Sequence, residues 1–317
     1  MSTNIFGPKG WTPDRIASLD GKTILITGAN SGTGYEATKI LLQKGANVVM
    51  LNRNEEKTKR AIKKLKTEIN SPINLSFIKM DLSDMSSIRN AAEEINKTID
   101  KIDVLICNAA VAQIAKQEFT KDGFESQLGI NYYGHFVLVN LLFDNLNQSK
   151  GRVIVVGSEG YKMGLKTIQF DDMNWDKNYN PMNTYCHSKL AQIMFAYELQ
   201  DRIKIANKKV KVFVCHPGAS RTSLINDKAS KFDRVLFSIM SLFPIVQSAE
   251  KGAYPEVMCS VEDENNLNQK AYYGPTGTMQ WIGPVGECKL DLLAQNKETS
   301  TKLWDFTEQL LDVNWSF

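Results

Sequence analysis

The chain has 317 residues, of which 43% are hydrophobic, and a formal net charge of +3. That length can bury a large core within a single α/β domain. The small charge is spread along the chain rather than clustered, which excludes nucleic acid as a partner and an anionic membrane surface as the main one.

Met1 to Asp20 reads as a polar N-terminal extension without the apolar core of a signal peptide. No later run reaches the ~18 apolar residues that a membrane span needs. Cys107, Cys186, Cys215, Cys259 and Cys288 are odd in number and form no Cys-x-x-Cys pair, so neither a disulfide framework nor a metal site is expected. A soluble protein of a reducing, cytoplasmic compartment follows.

From Lys22 onward, short apolar or β-branched runs alternate with helical patterns. Thr23 to Thr27, Val48 to Leu51, Leu75 to Lys79, Val104 to Cys107, Val153 to Val156 and Val210 to Val214 read as strands. Thr33 to Gln43, Glu55 to Ile69, Ser86 to Ile95, Phe136 to Leu146 and Thr184 to Ile205 read as the helices between them, with Asn54 and Ser83 as capping candidates. This is the pattern of a doubly wound parallel sheet, a three-layer αβα Rossmann fold, over residues 21–317 as one domain. Beyond Cys215 lie a substrate-loop region at about 217–247, a helix over Ser248 to Ser260, a short apolar piece at Ala271 to Tyr273 and a terminal helix near Lys302 to Leu311. Within the loop, Val235 to Val246 is apolar and too short to span a bilayer: it is core, a greasy substrate lid or a peripheral membrane contact.

Ligands of such sheets bind at the carboxyl ends of the strands. Directly after the first strand stands Gly28-Ala29-Asn30-Ser31-Gly32-Thr33-Gly34, leading into a helix, where glycines let a pyrophosphate approach backbone amides at a helix N-terminus. The Gly-x-x-x-Gly-x-Gly spacing is weak by itself, and its place between first strand and first helix is what gives it meaning. The second strand ends Leu51-Asn52-Arg53; an acid that would hold a free 2′-hydroxyl is absent and a cation suited to a 2′-phosphate is present, which favours NADP(H) over NAD(H).

Tyr185 and Lys189 lie at i and i+4 of a helical pattern and share one face. A cation ~4 Å from a phenol, at an effective dielectric of ~20, contributes roughly 4 kcal/mol. Together with the charge of an oxidised nicotinamide, and against the opposing effect of burial, this can bring the tyrosine near 7, where proton transfer is efficient. Tyr35 and Lys39 repeat the spacing on the first helix, far from any nicotinamide, and read as structural. His135, His187 and His216 show no ligand spacing, and His187 at i+2 from Tyr185 turns away from it.

In the order and character of these motifs the chain resembles the short-chain dehydrogenase/reductase family over nearly all of Leu19 to Leu311. It looks most like the branch of retinol-dehydrogenase-like and WW-domain-oxidoreductase-like proteins, given Phe170-Asp171-Asp172-Met173-Asn174-Trp175, Tyr185-Cys186-His187-Ser188-Lys189-Leu190-Ala191 and Tyr272-Tyr273-Gly274-Pro275. The resemblance implies that Asp81 and Leu82 touch the adenine and that Asn108-Ala109-Ala110 runs under the cofactor, departing from the family's Asn-Asn-Ala-Gly at Cys107 and Ala110. It implies that Pro217, Gly218 and Thr222 contact the nicotinamide end, that Asn131 holds a water of the proton relay, and that Ser158 polarises the substrate oxygen. Tyr185 then serves as acid/base, and Lys189 grips the ribose. The expectation is an NADP(H)-dependent oxidoreductase, monomer or homodimer, interconverting a carbonyl and an alcohol on a lipophilic substrate such as a retinoid, steroid or fatty aldehyde. The alternatives are a catalytically silent NADP(H)-binding sensor or interaction protein and a light-driven enzyme resembling protochlorophyllide reductase.

Overall fold

The computed structural model describes residues 4–221, 228–231, 235, 238, 243 and 245–317. Among them one sheet has the order β3-β2-β1-β4-β5-β6-β7-β8. Its strands are β1 (Thr23–Thr27), β2 (Asn47–Asn52), β3 (Asn74–Lys79), β4 (Val104–Cys107), β5 (Arg152–Val156), β6 (Lys211–Cys215), β7 (Tyr272–Pro275) and β8 (Val285–Cys288). All neighbours pair in parallel except β7 and β8, which are antiparallel. The strand order reverses between β1 and β4, so the crevice of a doubly wound sheet opens there.

The helices are α1 (Gly32–Gln43), α2 (Glu55–Glu68), α3 (Met85–Thr98), the single turn α4 (Ser126–Leu128), α5 (Gly134–Gln148), α6 (Pro181–Ile205), α7 (Ala249–Val261) and α8 (Lys297–Leu311). Alternation along the strands sorts the core into two layers. Leu25, Leu105, Val153 and Val214 pack with α3, α5, α6 and α8, while Ile24, Ile106, Ile154 and Phe213 pack with α1, α2 and α7. Strands buried on both faces explain why their sequences read as continuous apolar runs.

Local chemistry sets most helix ends. Asn54 caps α2 by accepting from Lys57 N, and Asn180 caps α6, whose first residue is Pro181. The cap of α3 is Asp84 rather than Ser83: the helix begins at Met85, and the Asp84 carboxylate accepts from Ser86 N and Ser87 N while pairing with Lys121. Ser83 instead donates to Asp81 Oδ1 at 2.7 Å. The sixth strand is shifted one residue from Val210–Val214. The N-terminal segment belongs to the core: Trp11 is buried, donates from Nε1 to Glu262 Oε2 at 2.7 Å, and its amide bonds to Val285 O at 3.0 Å. Among the described residues no helix is long and apolar enough to cross a membrane. Most of 235–246, like Thr222, lies outside them.

Candidate active site

The glycine loop follows β1 and needs its glycines for two different reasons. Gly28 and Gly32 have φ of 69° and 60°, a left-handed backbone that side chains resist. Gly34 is required by proximity, since a Cβ there would stand 2.4 Å from Asn108 Nδ2 and 2.6 Å from Gly28 O. Asn108, just past β4, locks the loop: Nδ2 donates to Thr27 O at 2.8 Å and Oδ1 accepts from Thr33 Oγ1 at 3.0 Å. Thr27 Oγ1 accepts from the amides of Asn108 and Ala109 at 3.0 and 2.9 Å. The result is a backbone cradle at the N-terminus of α1, which fits a dinucleotide pyrophosphate. Ser31 immediately precedes that helix, and Asn30 Nδ2 donates to Thr58 Oγ1 at 3.3 Å.

The other nucleotide candidates line the same carboxyl edge. Arg53 is exposed just after β2, and Asp81 and Leu82 follow β3. Ala110 continues the strand-end segment after β4. Past β6, Pro217 O accepts from Ser220 Oγ at 2.7 Å and from Gln247 Nε2 at 2.8 Å. Gly218, with φ of 64°, sits where a Cβ would lie 2.2 Å from Trp281 O.

The four proton-transfer candidates come from three elements. Ser158 ends the segment after β5, and its Oγ accepts from Gly160 N at 3.1 Å. Tyr185 and Lys189 lie on α6, and Asn131 lies in a π turn, Gly129–Tyr133, between α4 and α5. Such wider turns displace backbone groups and recur at functional sites. The Asn131 side chain accepts from Val111 N at 2.8 Å and donates to Val111 O and to Ser188 Oγ, each at 2.9 Å. Since Ser188 Oγ donates to Tyr185 O at 2.7 Å, the π turn is clamped to the helix between Tyr185 and Lys189.

Burial dominates the electrostatics of the site without nucleotide. Burial pushes the Tyr185 phenol up to about 12, against the easing effect of the Ser158 hydroxyl, and Lys189 does not bring it down. Lys189 is itself buried, which lowers its ammonium to about 7, and its Nζ donates to Val156 O at 2.8 Å and Gln192 Oε1 at 2.9 Å. The lysine charge is thus engaged by β5 and its own helix rather than by the phenol. The second pair behaves as expected of structure: Tyr35 donates to Glu68 at 3.1 Å, and Lys39 pairs with Glu36 at 2.8 Å.

Two buried groups at the site escaped sequence reasoning. His135 joins Asn131 O to Thr27 Oγ1, both at 2.9 Å, and its i+4 offset from Asn131 was the available signal. Glu256, on α7, is 1% exposed beside Thr33, and neither carboxyl oxygen has a hydrogen-bond partner. The Thr33 hydroxyl eases its ionisation but is committed to Asn108, and burial pushes the carboxyl up to about 8. His187 is structural: burial lowers it to about 4, and Trp175 Nε1 and Gln169 N approach its two ring nitrogens at 3.0 and 3.1 Å, of which a neutral ring accepts one. His216, fully buried, stacks on Tyr272 with centroids 4.7 Å apart. A cavity of about 1140 Å³ opens elsewhere, lined by Lys22, Asp103, Arg152 and Lys211 at the amino ends of β1, β4, β5 and β6, away from this chemistry.

Comparison with known proteins matches residues 22–232 to the short chain dehydrogenase family. Human retinol dehydrogenase 13 is 34% identical over 305 residues, spanning 94% of this chain and 86% of that protein. A crystal structure of an uncharacterized protein from Mycobacterium Paratuberculosis superposes with a TM-score of 0.79 at 30% identity, covering 97% of this chain and all of the other. The 3-ketoacyl-(acyl-carrier-protein) reductase of Brucella melitensis, crystallised with NADH, shares the fold at 19% identity, with a TM-score of 0.60 over 80% of this chain and 96% of that one. The chain belongs to the short-chain dehydrogenase/reductase family of NAD(P)(H)-using oxidoreductases, with a retinol-dehydrogenase-like sequence.

Proposed function

We propose that the protein is an NADP(H)-dependent oxidoreductase that interconverts a lipophilic aldehyde or ketone and its alcohol. The observation that carries this reading is the convergence of Ser158, Tyr185, Lys189 and the Asn131 turn, joined through Val111 and Ser188, on the carboxyl edge that also holds the glycine cradle. Preference for NADP(H) rests on Arg53, exposed after β2, and on the lack of an acid in the strand end Leu51-Asn52-Arg53. A lipophilic substrate is supported by the likeness to retinol dehydrogenases.

When bound, the reduced nicotinamide supplies the hydride for the carbonyl carbon. Tyr185 gives its phenolic proton to the carbonyl oxygen, and burial keeps that proton on the phenol until it is needed. Ser158 donates a second hydrogen bond to the same oxygen and so stabilises the charge developing there. Lys189, two of whose N–H groups are held by Val156 O and Gln192 Oε1, would hold the ribose hydroxyls with its third and, with a water at Asn131, would return a proton from solvent to Tyr185. Hydride and proton together balance the reduction, and the reverse sequence oxidises the alcohol.

Consumption of NADPH and NADH is to be followed across retinal, a steroid ketone, a fatty aldehyde and a small quinone. NADPH oxidation with the lipophilic carbonyls is the expected result. Full turnover in Tyr185→Phe refutes the mechanism, and equal use of both nucleotides refutes the cofactor choice. Nucleotide binding without turnover on any carbonyl would leave a silent sensor.

A further inference from the structure

Thr27 Oγ1 has one proton to give and two lone pairs, and the amides of Asn108 and Ala109 occupy both lone pairs. Its proton therefore goes to His135 Nε2 at 2.9 Å, in preference to the longer contact with Ile106 O at 3.3 Å. That makes Nε2 the bare nitrogen of the ring and places the imidazole proton on Nδ1. Nδ1 faces Asn131 O at 2.9 Å, a carbonyl that can only accept, so both ends of the ring demand the same tautomer. Burial keeps the ring neutral by lowering it to about 4.

We propose that His135 is a positioning residue that ties the backbone carbonyl of Asn131, at the proton relay, to the floor of the nucleotide cradle under Gly28, so that one imidazole coordinates cofactor binding with proton supply. The inference rests on the reading of Asn131 given above. On the cradle side, removing the acceptor at Nε2 sends the Thr27 proton to Ile106 O and leaves the Asn108–Ala109 segment less firmly held. That segment abuts Gly28, where a Cβ would stand 2.9 Å from Ala109 Cα. On the relay side, removing the Nδ1 donor frees the Asn131 carbonyl to turn within the π turn.

The two hydrogen bonds can be separated by substitution. The amide nitrogen of His135→Asn reaches the position of Nδ1 and keeps only the bond to Asn131. The amide oxygen of His135→Gln reaches the position of Nε2 and keeps only the bond to Thr27. NADPH affinity is to be read by quenching of tryptophan fluorescence, and kcat with a medium-chain aldehyde in light and heavy water. His135→Asn should raise the NADPH dissociation constant by about five- to thirty-fold, the effect of one lost buried hydrogen bond, and by more than it lowers kcat. His135→Gln should lower kcat by more than it raises that constant and enlarge the solvent isotope effect. His135→Phe should show both defects. Equal changes in both quantities for the Asn and Gln variants, or none, overturn the proposal. The affinity arm needs no turnover, so an inactive wild-type chain would defeat the functional reading while the split in NADPH affinity still tests His135 on the cradle side.

Discussion

Glu256 offers a sharp test of how burial governs this site. Its carboxyl is fully enclosed between α7 and the glycine loop, with Thr33 beside it and Cys215 of β6 nearby, and no donor hydrogen-bonds either oxygen. Burial raises it from 4.5 to about 8. The folded chain therefore keeps a proton that the unfolded chain releases, and stability falls as pH rises through this window, by about 1.4 kcal/mol per pH unit. Below 4.5 both states are protonated, and above about 8 both are ionised, so the penalty is absent at the acid end and constant at the alkaline end. Glu256→Gln preserves shape and removes the charge. At pH 7 the variant should be more stable than the parent by roughly 3 kcal/mol, while at pH 5 the two should agree to within about 1 kcal/mol. Urea denaturation of both proteins between pH 5 and 9 measures the difference, in which the titration of other groups cancels. Parallel curves across that range would show that Glu256 gains a partner or water on folding, and would refute the argument.

Three further outcomes follow from the geometry. Gly34→Ala forces a methyl against Asn108 and Gly28 O; overpacking of this kind costs about 1–3 kcal/mol, and both the melting temperature and NADPH affinity should fall. Arg53→Ala should weaken NADPH by about ten- to a hundred-fold, the scale of one lost charge-assisted hydrogen bond, with little effect on NADH, as titration calorimetry with each nucleotide would record. Asp84→Ala removes the cap of α3 and should cost about 1 kcal/mol at neutral pH. Lys121 and the Ser86 hydroxyl hold the Asp84 carboxyl below its ordinary 3.8, so its stabilisation is present above that value and fades as pH falls below it, where the variant and the parent should converge in thermal melts.

Much of the architecture was legible because it depends on neighbours in sequence. Apolar runs, buried on both faces in all of them but the edge strand β3, gave β1 to β6 nearly residue for residue, and the 3.6-residue pattern gave the long helices. The glycine loop declared itself because positive φ and close backbone approach admit little but glycine, as Gly28 and Gly34 demonstrate. Tyr185 could be told from Tyr35 by its place in the order of elements, and the Glu68 and Glu36 contacts of the Tyr35–Lys39 pair agree with that assignment. The antiparallel strand β8 was not legible. Val285–Cys288 is four residues long, and its partner Tyr272–Pro275 is chosen across a loop.

What the sequence alone determined is the order of strands and helices and the residue types at the carboxyl edge, since both follow from local periodicity and local backbone sterics. Protonation states were decided only by the tertiary structure. Desolvation depends on what other elements pack around a group, and without nucleotide it pushes Tyr185 up to about 12 and Lys189 down to about 7, neither of which spacing can show. The same holds for the bridge through His135, whose two partners, Thr27 and Asn131, stand more than a hundred residues apart and meet only when the sheet and the π turn are assembled.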